Sequence, residues 1–206
     1  MIPVFLADDE TLVRAAMATM LGLEADIEVV DHVGSGEELL AAWRRHRDSG
    51  GPAAVAVIDL QMPGIDGIET AVELQQITPG AGTLIVTSHG RPGYLKRALA
   101  AGVRGFLPKT TSAATLAEVI RTVNGGGRYV DPELAAEAIS AGDTVLTARE
   151  ADVLEYALDG ASVEDIARRA HLSPGTTRNY LSSAMAKLGV ANRYEAALKA
   201  RDKGWI

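Results

Sequence analysis

Three carboxylates, a hydroxyl and a lysine each follow a short apolar run in the first half of the chain. Asp8 and Asp9 follow "IPVFLA", Asp59 follows "AVAVI", Thr87 follows "GTLIV" and Lys109 follows "GFLP". Taken singly, each has an ordinary explanation. A strand-end Asp commonly caps the next helix, and a lone lysine is commonly a surface charge. Together at successive strand ends they suggest chemistry. Acidic side chains crowded at one edge would raise one another's pKa values. A hard divalent cation such as Mg²⁺, which takes oxygen ligands, would relieve that repulsion. A nearby ammonium would neutralise a further oxygen, and a Thr hydroxyl could donate to another. These are the parts needed for phosphoryl transfer to a carboxylate: an aspartyl nucleophile with electrostatic stabilisation of the transferred oxygens.

For these groups to meet, the apolar runs must be parallel strands of one sheet. Candidate strands are Pro3–Ala7, Ile27–His32, Val55–Leu60, Gly82–Thr87 and Gly105–Leu107. Between and after them lie amphipathic stretches: "DETLVRAAMATMLGL", "SGEELLAAWRRHRD", "DGIETAVELQQI", "RPGYLKRALAAG" and "SAATLAEVIRTVN". Five strand–helix repeats with near-continuous apolar strands predict a doubly wound α/β sheet with helices on both faces. In such sheets ligands collect beyond the carboxyl ends of the strands, which is where Asp8, Asp9, Asp59, Thr87 and Lys109 fall. Pro63 and Gly64 in "MPGIDG" predict a tight loop beside Asp59, and Gly67 predicts a close approach before the next helix.

The composition is ordinary for a soluble protein: 206 residues, 47% hydrophobic, 23% charged and no cysteine. That excludes a disulfide framework and thiolate chemistry. No apolar run approaches the ~20 residues needed to span a bilayer, and "MIPVFLADDE" lacks the basic start of a signal peptide. A cytoplasmic protein with no membrane insertion is expected. Charge divides the chain: residues 1–143 carry 11 basic and 19 acidic side chains, net −8, whereas residues 144–206 carry 9 and 8, net +1. From Arg168 onward the count is 8 basic to 2 acidic. Two modules with different partners would give this asymmetry. "NGGG" (124–127) stops the fifth helical stretch. The expected organisation is therefore a domain over 1–124, a linker over 125–143 and a helical domain over 144–206.

The helical part carries three start signals. "TARE" (147–150) reads as a capping box, "SVED" (162–165) as a similar start, and "SP" (173–174) places Ser at the N-cap and Pro at the first helical position. Helices are expected over about 148–159, 163–170, 174–188 and 192–202. The middle two are separated only by "AHLS", the short turn of a helix-turn-helix. In the third, Thr177, Leu181, Ala184, Met185 and Leu188 form a buried stripe. The opposite face holds Arg178, Asn179, Ser182 and Lys187. Arg suits guanine or phosphate, and Asn suits adenine. Ser173 and the helix N-terminus can meet a phosphate.

"VFLADDE", "VIDLQMPGIDGIE", "LIVTSHG" and "VRGFLPK" together resemble the receiver domain of two-component response regulators, across residues 1–125. The segment from Leu146 to Ala197 resembles the LuxR/NarL (FixJ) helix-turn-helix, and "TTRNYLSSAMAKLG" most resembles its DesR-like subgroup. The resemblance implies a CheY-like receiver with a five-stranded parallel sheet, followed by a small all-α DNA-binding domain. It implies Asp59 as phosphate acceptor, and Asp8, Asp9, Asp59 and the Gln61 backbone carbonyl as Mg²⁺ ligands. Thr87 and Lys109 would contact the phosphoryl group, and Phe106 would be the aromatic switch. Arg178, Asn179 and Ser182 match base-facing positions, while Lys187 and Arg193 match positions that face the DNA backbone or brace the fold. The chain departs from the pattern in having Ser182 where Lys is frequent, and Thr110 rather than Pro after the lysine. The implied partners are a sensor histidine kinase, double-stranded DNA, a second copy on phosphorylation, and RNA polymerase.

The expected function is thus a regulator that a kinase switches at Asp59 and that then binds DNA to control transcription, not an enzyme. Two other classes compete with this reading. A haloacid-dehalogenase-like phosphatase would need a second Asp two residues after the nucleophile, and Gln61 stands there. A phospho-dependent interaction module would have a tail that binds protein instead of DNA. Dimerisation is expected through the fourth helix, fifth strand and fifth helix, or through the first and fifth helices around Val13, Met17, Leu116 and Ile120.

Overall fold

The computed structural model describes residues 1–88, 92–140, 144–203 and 205–206. The "HG" end of "LIVTSHG", Arg91 at the head of the fourth helical stretch, residues 141–143 of the expected linker and Gly204 lie outside them. The chain divides into two compact units: Met1–Gly90 with Arg97–Pro132, and Arg91–Lys96 with Glu133–Ile206.

The elements of the first part are β1 (Ile2–Ala7), α1 (Thr11–Leu21), β2 (Ile27–Val33), α2 (Gly36–Asp48), β3 (Val55–Asp59), α3 (Gly67–Ile77), β4 (Gly82–Thr87), α4 (Pro92–Ala100), β5 (Gly105–Pro108), α5 (Ala113–Asn124) and β6 (Tyr129–Val130). The strands form one parallel sheet in the order β2-β1-β3-β4-β5-β6. The five expected strands are present to within a residue at each end. The sixth was not anticipated, because two residues carry no readable period. It forms because the chain turns back after α5, with Gly126 at φ 83°. Tyr129 N then donates to Arg104 O at 2.8 Å and Asp131 N to Phe106 O at 3.0 Å.

Every residue of β3 and β4 is buried, as a central parallel strand covered on both faces requires. One face packs Leu6, Val57, Leu84 and Ile120 into a core with α1 and α5. On the other, Phe5 meets Trp43 of α2 with ring centroids 5.3 Å apart. Met17, Leu116 and Ile120, named above as a dimer surface, are buried in this unit's own core, and Val13 packs against it. Ser35 and Ser112 cap α2 and α5, and Asp66 closes a capping box on α3 with Glu69.

The helices of the second part are α6 (Pro132–Ser140), α7 (Ala148–Leu158), α8 (Val163–Arg169), α9 (Pro174–Leu188) and α10 (Arg193–Asp202). The capping box at Thr147 and Glu150 is formed, and Ser162 and Ser173 cap α8 and α9. In the α8–α9 turn His171 takes φ 54°, a left-handed conformation that strains a residue with a Cβ but reverses the chain in few residues. The core joins Val153, Leu154, Ile166, Leu181, Ala184 and Ala197 from four helices, with Trp205 packed against it. Among the described residues no helix is long and apolar enough to cross a membrane.

Candidate functional site

Register decides what meets at the carboxyl edge of the sheet. In the β1–β3 pair Ala7 lies opposite Ile58, so the next residues, Asp8 and Asp59, stand side by side. In the β4–β5 pair Thr87 lies opposite Pro108, so Lys109 follows directly beside the end of β4. Its amide donates to Thr87 O at 2.7 Å. One carboxylate oxygen from each of Asp8, Asp9 and Asp59 lies within 4.8 Å of the others. Asp8 and Asp59 are buried and Asp9 is half-buried.

The lysine is the common counterion. Its Nζ lies 2.9 Å from Asp8 Oδ2, 3.1 Å from Asp59 Oδ2 and 2.8 Å from Glu10 Oε1. Despite that ammonium, Asp8 Oδ2 is buried and receives no well-angled hydrogen bond. Asp8 Oδ1 accepts from Glu10 N at 2.9 Å.

Burial pushes the Asp59 carboxyl up to about 7; Lys109 pulls it down, and the charges of Asp8 and Asp9 add to the rise. Asp8 is raised as well, again mainly by burial. Burial alone would lower the Lys109 ammonium, but Glu10, Asp59 and Asp8 together hold it above its ordinary value. Crowded, buried carboxylates, one of whose oxygens has an ammonium nearby but accepts no well-angled hydrogen bond, are a donor set that suits a hard cation.

The neighbouring segments shape the acceptor. Gly67 N donates to Leu60 O at 2.9 Å, and a Cβ at Gly67 would meet Asp59 O at 2.2 Å. Gly64 takes φ 80°, and a Cβ there would meet Glu37 Oε1 at 2.3 Å. Glu37 in turn accepts from Ile65 N at 3.3 Å. The loop is therefore held by its own glycines and by α2. Gln61 is half-buried in this loop, Thr87 is buried at the end of β4, and Phe106 is fully buried in β5.

On α9 the structure places Arg178, Asn179 and Ser182 on one exposed face, opposite buried Thr177, Leu181, Ala184 and Leu188. Ser173 Oγ is engaged as the helix cap, accepting from Thr176 N at 3.1 Å. Lys187 does not project freely: its Nζ lies 2.8 Å from Glu150 Oε2. Glu150 also accepts from Ser183 Oγ and from Thr147 N, both at 2.6 Å. Burial opposes ionisation of Glu150, yet the hydrogen bonds from Lys187, Ser183 and Thr147 outweigh it and hold its pKa below the usual glutamate value. Arg193 is half-buried at the start of α10.

Residues 4–121 match the response regulator receiver domain family. The chain belongs to the response regulators. Residues 144–200 match the luxR family of bacterial regulatory proteins. The chain is 38% identical over 206 residues to the transcriptional regulatory protein DesR of Bacillus subtilis (strain 168), with all of both chains covered. It is 39% identical over 205 residues to the transcriptional regulatory protein UhpA of Escherichia coli (strain K12), again with both fully covered. Among solved structures, that of the two-component response regulator RcsB–DNA complex is similar, with 25% identity, a TM-score of 0.60 and 98% of each chain covered.

This response regulator therefore joins a receiver domain to a luxR-type DNA-binding domain, in a family of transcriptional regulators rather than enzymes. Three of its interacting residues were missed in the sequence. Glu10, beside the acidic pair, takes a share of Lys109. Glu150 was legible as a capping residue but not as the partner of Lys187. Glu164, an acid in the first turn of α8, accepts from Arg178 of α9 at 3.1 Å. A capping box is local and has a sequence signature; pairs across 14 or 37 positions do not.

Proposed function

We propose that this response regulator takes a phosphoryl group on Asp59 from a sensor histidine kinase, dimerises, and binds DNA through α9 to control transcription in the cytoplasm. The observation that carries the reading is the clustering of Asp8, Asp9 and Asp59 carboxylate oxygens within 4.8 Å of one another at the carboxyl edge of a parallel sheet, with the Lys109 ammonium paired to Asp8 and Asp59. Residues 1–124 would be the receiver, 125–143 the linker and 144–206 the DNA-binding domain.

In the reaction, an Asp59 carboxylate oxygen attacks the phosphorus of a phosphohistidine. The P–N bond breaks, its electron pair leaves on the kinase's imidazole nitrogen, and that nitrogen takes a proton from solvent. Asp8, Asp9, Asp59 and the Gln61 backbone carbonyl would hold Mg²⁺, which when bound neutralises the carboxylates and the phosphoryl oxygens. Lys109 pairs with the new dianion, and Thr87 donates its hydroxyl to it. Phe106 is already buried, and its inward position involves no hydroxyl to desolvate. Gln61 cannot protonate a leaving group, which weighs against a phosphatase.

Arg178, Asn179 and Ser182 are offered as base contacts in the major groove, with Ser173 at a phosphate and Lys187 bracing the helix through Glu150. Dimeric helix-turn-helix proteins read two half-sites about one helical turn apart. RNA polymerase is the further partner of a promoter-bound regulator.

Radiolabelled acetyl phosphate tests the acceptor. Wild type should take up base-labile label and gain affinity for its DNA, while Asp59→Asn should do neither. Label persisting in that variant would end the assignment. A genomic footprint with and without phosphodonor then reads out the operators. Salt-insensitive retention of DNA would argue against phosphate contacts.

A further inference from the structure

The acidic side chain on the exposed face of the helix pair is out of place for a surface that meets DNA. Glu164 stands in the first turn of α8, and its Oε1 lies 3.1 Å from a terminal nitrogen of Arg178. Both side chains remain more than half exposed, so the contact is not a by-product of burial. Glu164 plays no part in capping α8: that is done by Ser162, which accepts from Asp165 N and pairs with Asp165 Oδ2 at 2.7 Å. The neighbouring acid, Asp165, is occupied by Arg168 at 2.9 Å. Among the described residues Glu164 pairs with Arg178.

We propose that Glu164 is a positioning residue that aims Arg178 at a base and suppresses its use as a general phosphate contact. This rests on the reading of α9 as the DNA-facing helix. A guanidinium carries five N–H donors. One bond to Glu164 leaves enough for a bidentate contact to guanine O6 and N7. Arg has a long stem with many rotamers to lose on binding, and a bond made before docking removes part of that cost.

Charge supplies the second half of the argument. Arg178 alone adds one positive charge to the DNA face, attractive to any phosphate. Paired with Glu164 it adds none, and the carboxylate repels a phosphate brought to the same place. A repulsive element of this kind raises discrimination by weakening wrong complexes. An arginine serving only as a phosphate contact would gain nothing from such a partner.

The test uses the full chain and two probes: the duplex that wild-type protein enriches from a random pool, and a shuffled duplex of the same composition. Glu164→Gln keeps an acceptor and removes the charge; Glu164→Ala removes both. Melting of each variant is followed in parallel. Binding to the shuffled duplex should tighten in both, with the slope of log K against log salt steeper by about one phosphate contact. The ratio of enriched to shuffled affinity should fall about two- to fivefold in Glu164→Ala, the range set by exposed ion pairs, and less in Glu164→Gln. Arg178→Ala is the control. If it lowers the ratio while both Glu164 variants leave it unchanged, the inference is overturned and the reading of α9 stands. If Arg178→Ala itself leaves the ratio unchanged, the base-reading assignment falls, and the inference with it. Equal tightening on both probes assigns Glu164 a charge effect alone and also overturns the positioning role.

Discussion

Lys109 Nζ lies 3.1 Å from Asp59 Oδ2, although Asp59 ends β3 and Lys109 follows β5, with β4 between the two strands. The ammonium can reach because β5 ends one residue before it and its own amide is fixed to Thr87 O. Asp59 is therefore never a bare buried anion. It shares a cation with Asp8 and Glu10, and that sharing sets how the pocket responds to pH, charge and substitution.

Asp59 should make the protein less stable as pH rises. Its folded-state pKa is raised from 3.8 to about 7, so the native state holds the proton more tightly than the unfolded chain. The associated stability is fully present below about pH 4 and is lost as pH rises through about 7. In chelator, Asp59→Asn should flatten the thermal midpoint over that window and stabilise the protein at pH 8 by about 2–4 kcal/mol. An unchanged pH profile in the variant would show that the carboxyl titrates normally.

Removing the shared cation should have the opposite pH signature. Lys109→Met leaves Asp8 and Asp59 buried without their ammonium, at a cost of about 1–3 kcal/mol at pH 8. At pH 5 the loss should be smaller, because protonation of Asp59 relieves the repulsion. Urea melts at the two pH values measure the difference. Equal losses at both would assign the lysine a packing role through its stem.

Two glycine-to-alanine changes should differ sharply. At Gly67 a Cβ would meet the Asp59 carbonyl oxygen at 2.2 Å, whereas at Gly93 nothing lies within 4 Å. Gly67→Ala should cost more than about 2 kcal/mol and slow acetyl phosphate labelling, because the backbone that must yield carries the acceptor. Gly93→Ala should be neutral or stabilising by up to about 1 kcal/mol. Denaturant midpoints with unchanged slopes decide it.

In the C-terminal domain, Glu150→Ala should loosen α9 against α7. The change strands Lys187, Ser183 and the Thr147 amide, for about 2–4 kcal/mol in total. Because the pKa of Glu150 is lowered from 4.5, its contribution holds at neutral pH and is lost as pH falls through the folded-state value. Faster hydrogen exchange in α7 and α9 at pH 7 is the expected readout. Unchanged protection would mean that the apolar stripe alone holds α9.

The legible parts share a physical character. Strand ends at Ala7, Thr87 and Leu107 were readable to within a residue, because an apolar run stops where the chain leaves the sheet. Caps at Thr147, Ser162 and Ser173 were readable because a cap and its amide lie three residues apart. β6 was not, since two residues form a strand only where β5 offers a free edge. Around Met17, Leu116 and Ile120 a dimer contact was one expectation, because amphipathicity of α1 and α5 does not say what covers the apolar side. Here the sheet covers it.

By itself, the sequence determined the order of strands and helices, their caps, and which polar residues end up at strand termini, since all of these follow from side-chain period and turn chemistry over a few neighbouring positions. Only the tertiary structure decided the pairings: three carboxylates on Lys109, Lys187 held by Glu150, and Arg178 facing Glu164. Those depend on strand register and helix packing, which bring distant side chains within a hydrogen bond of each other, and short-range pattern carries no record of that distance.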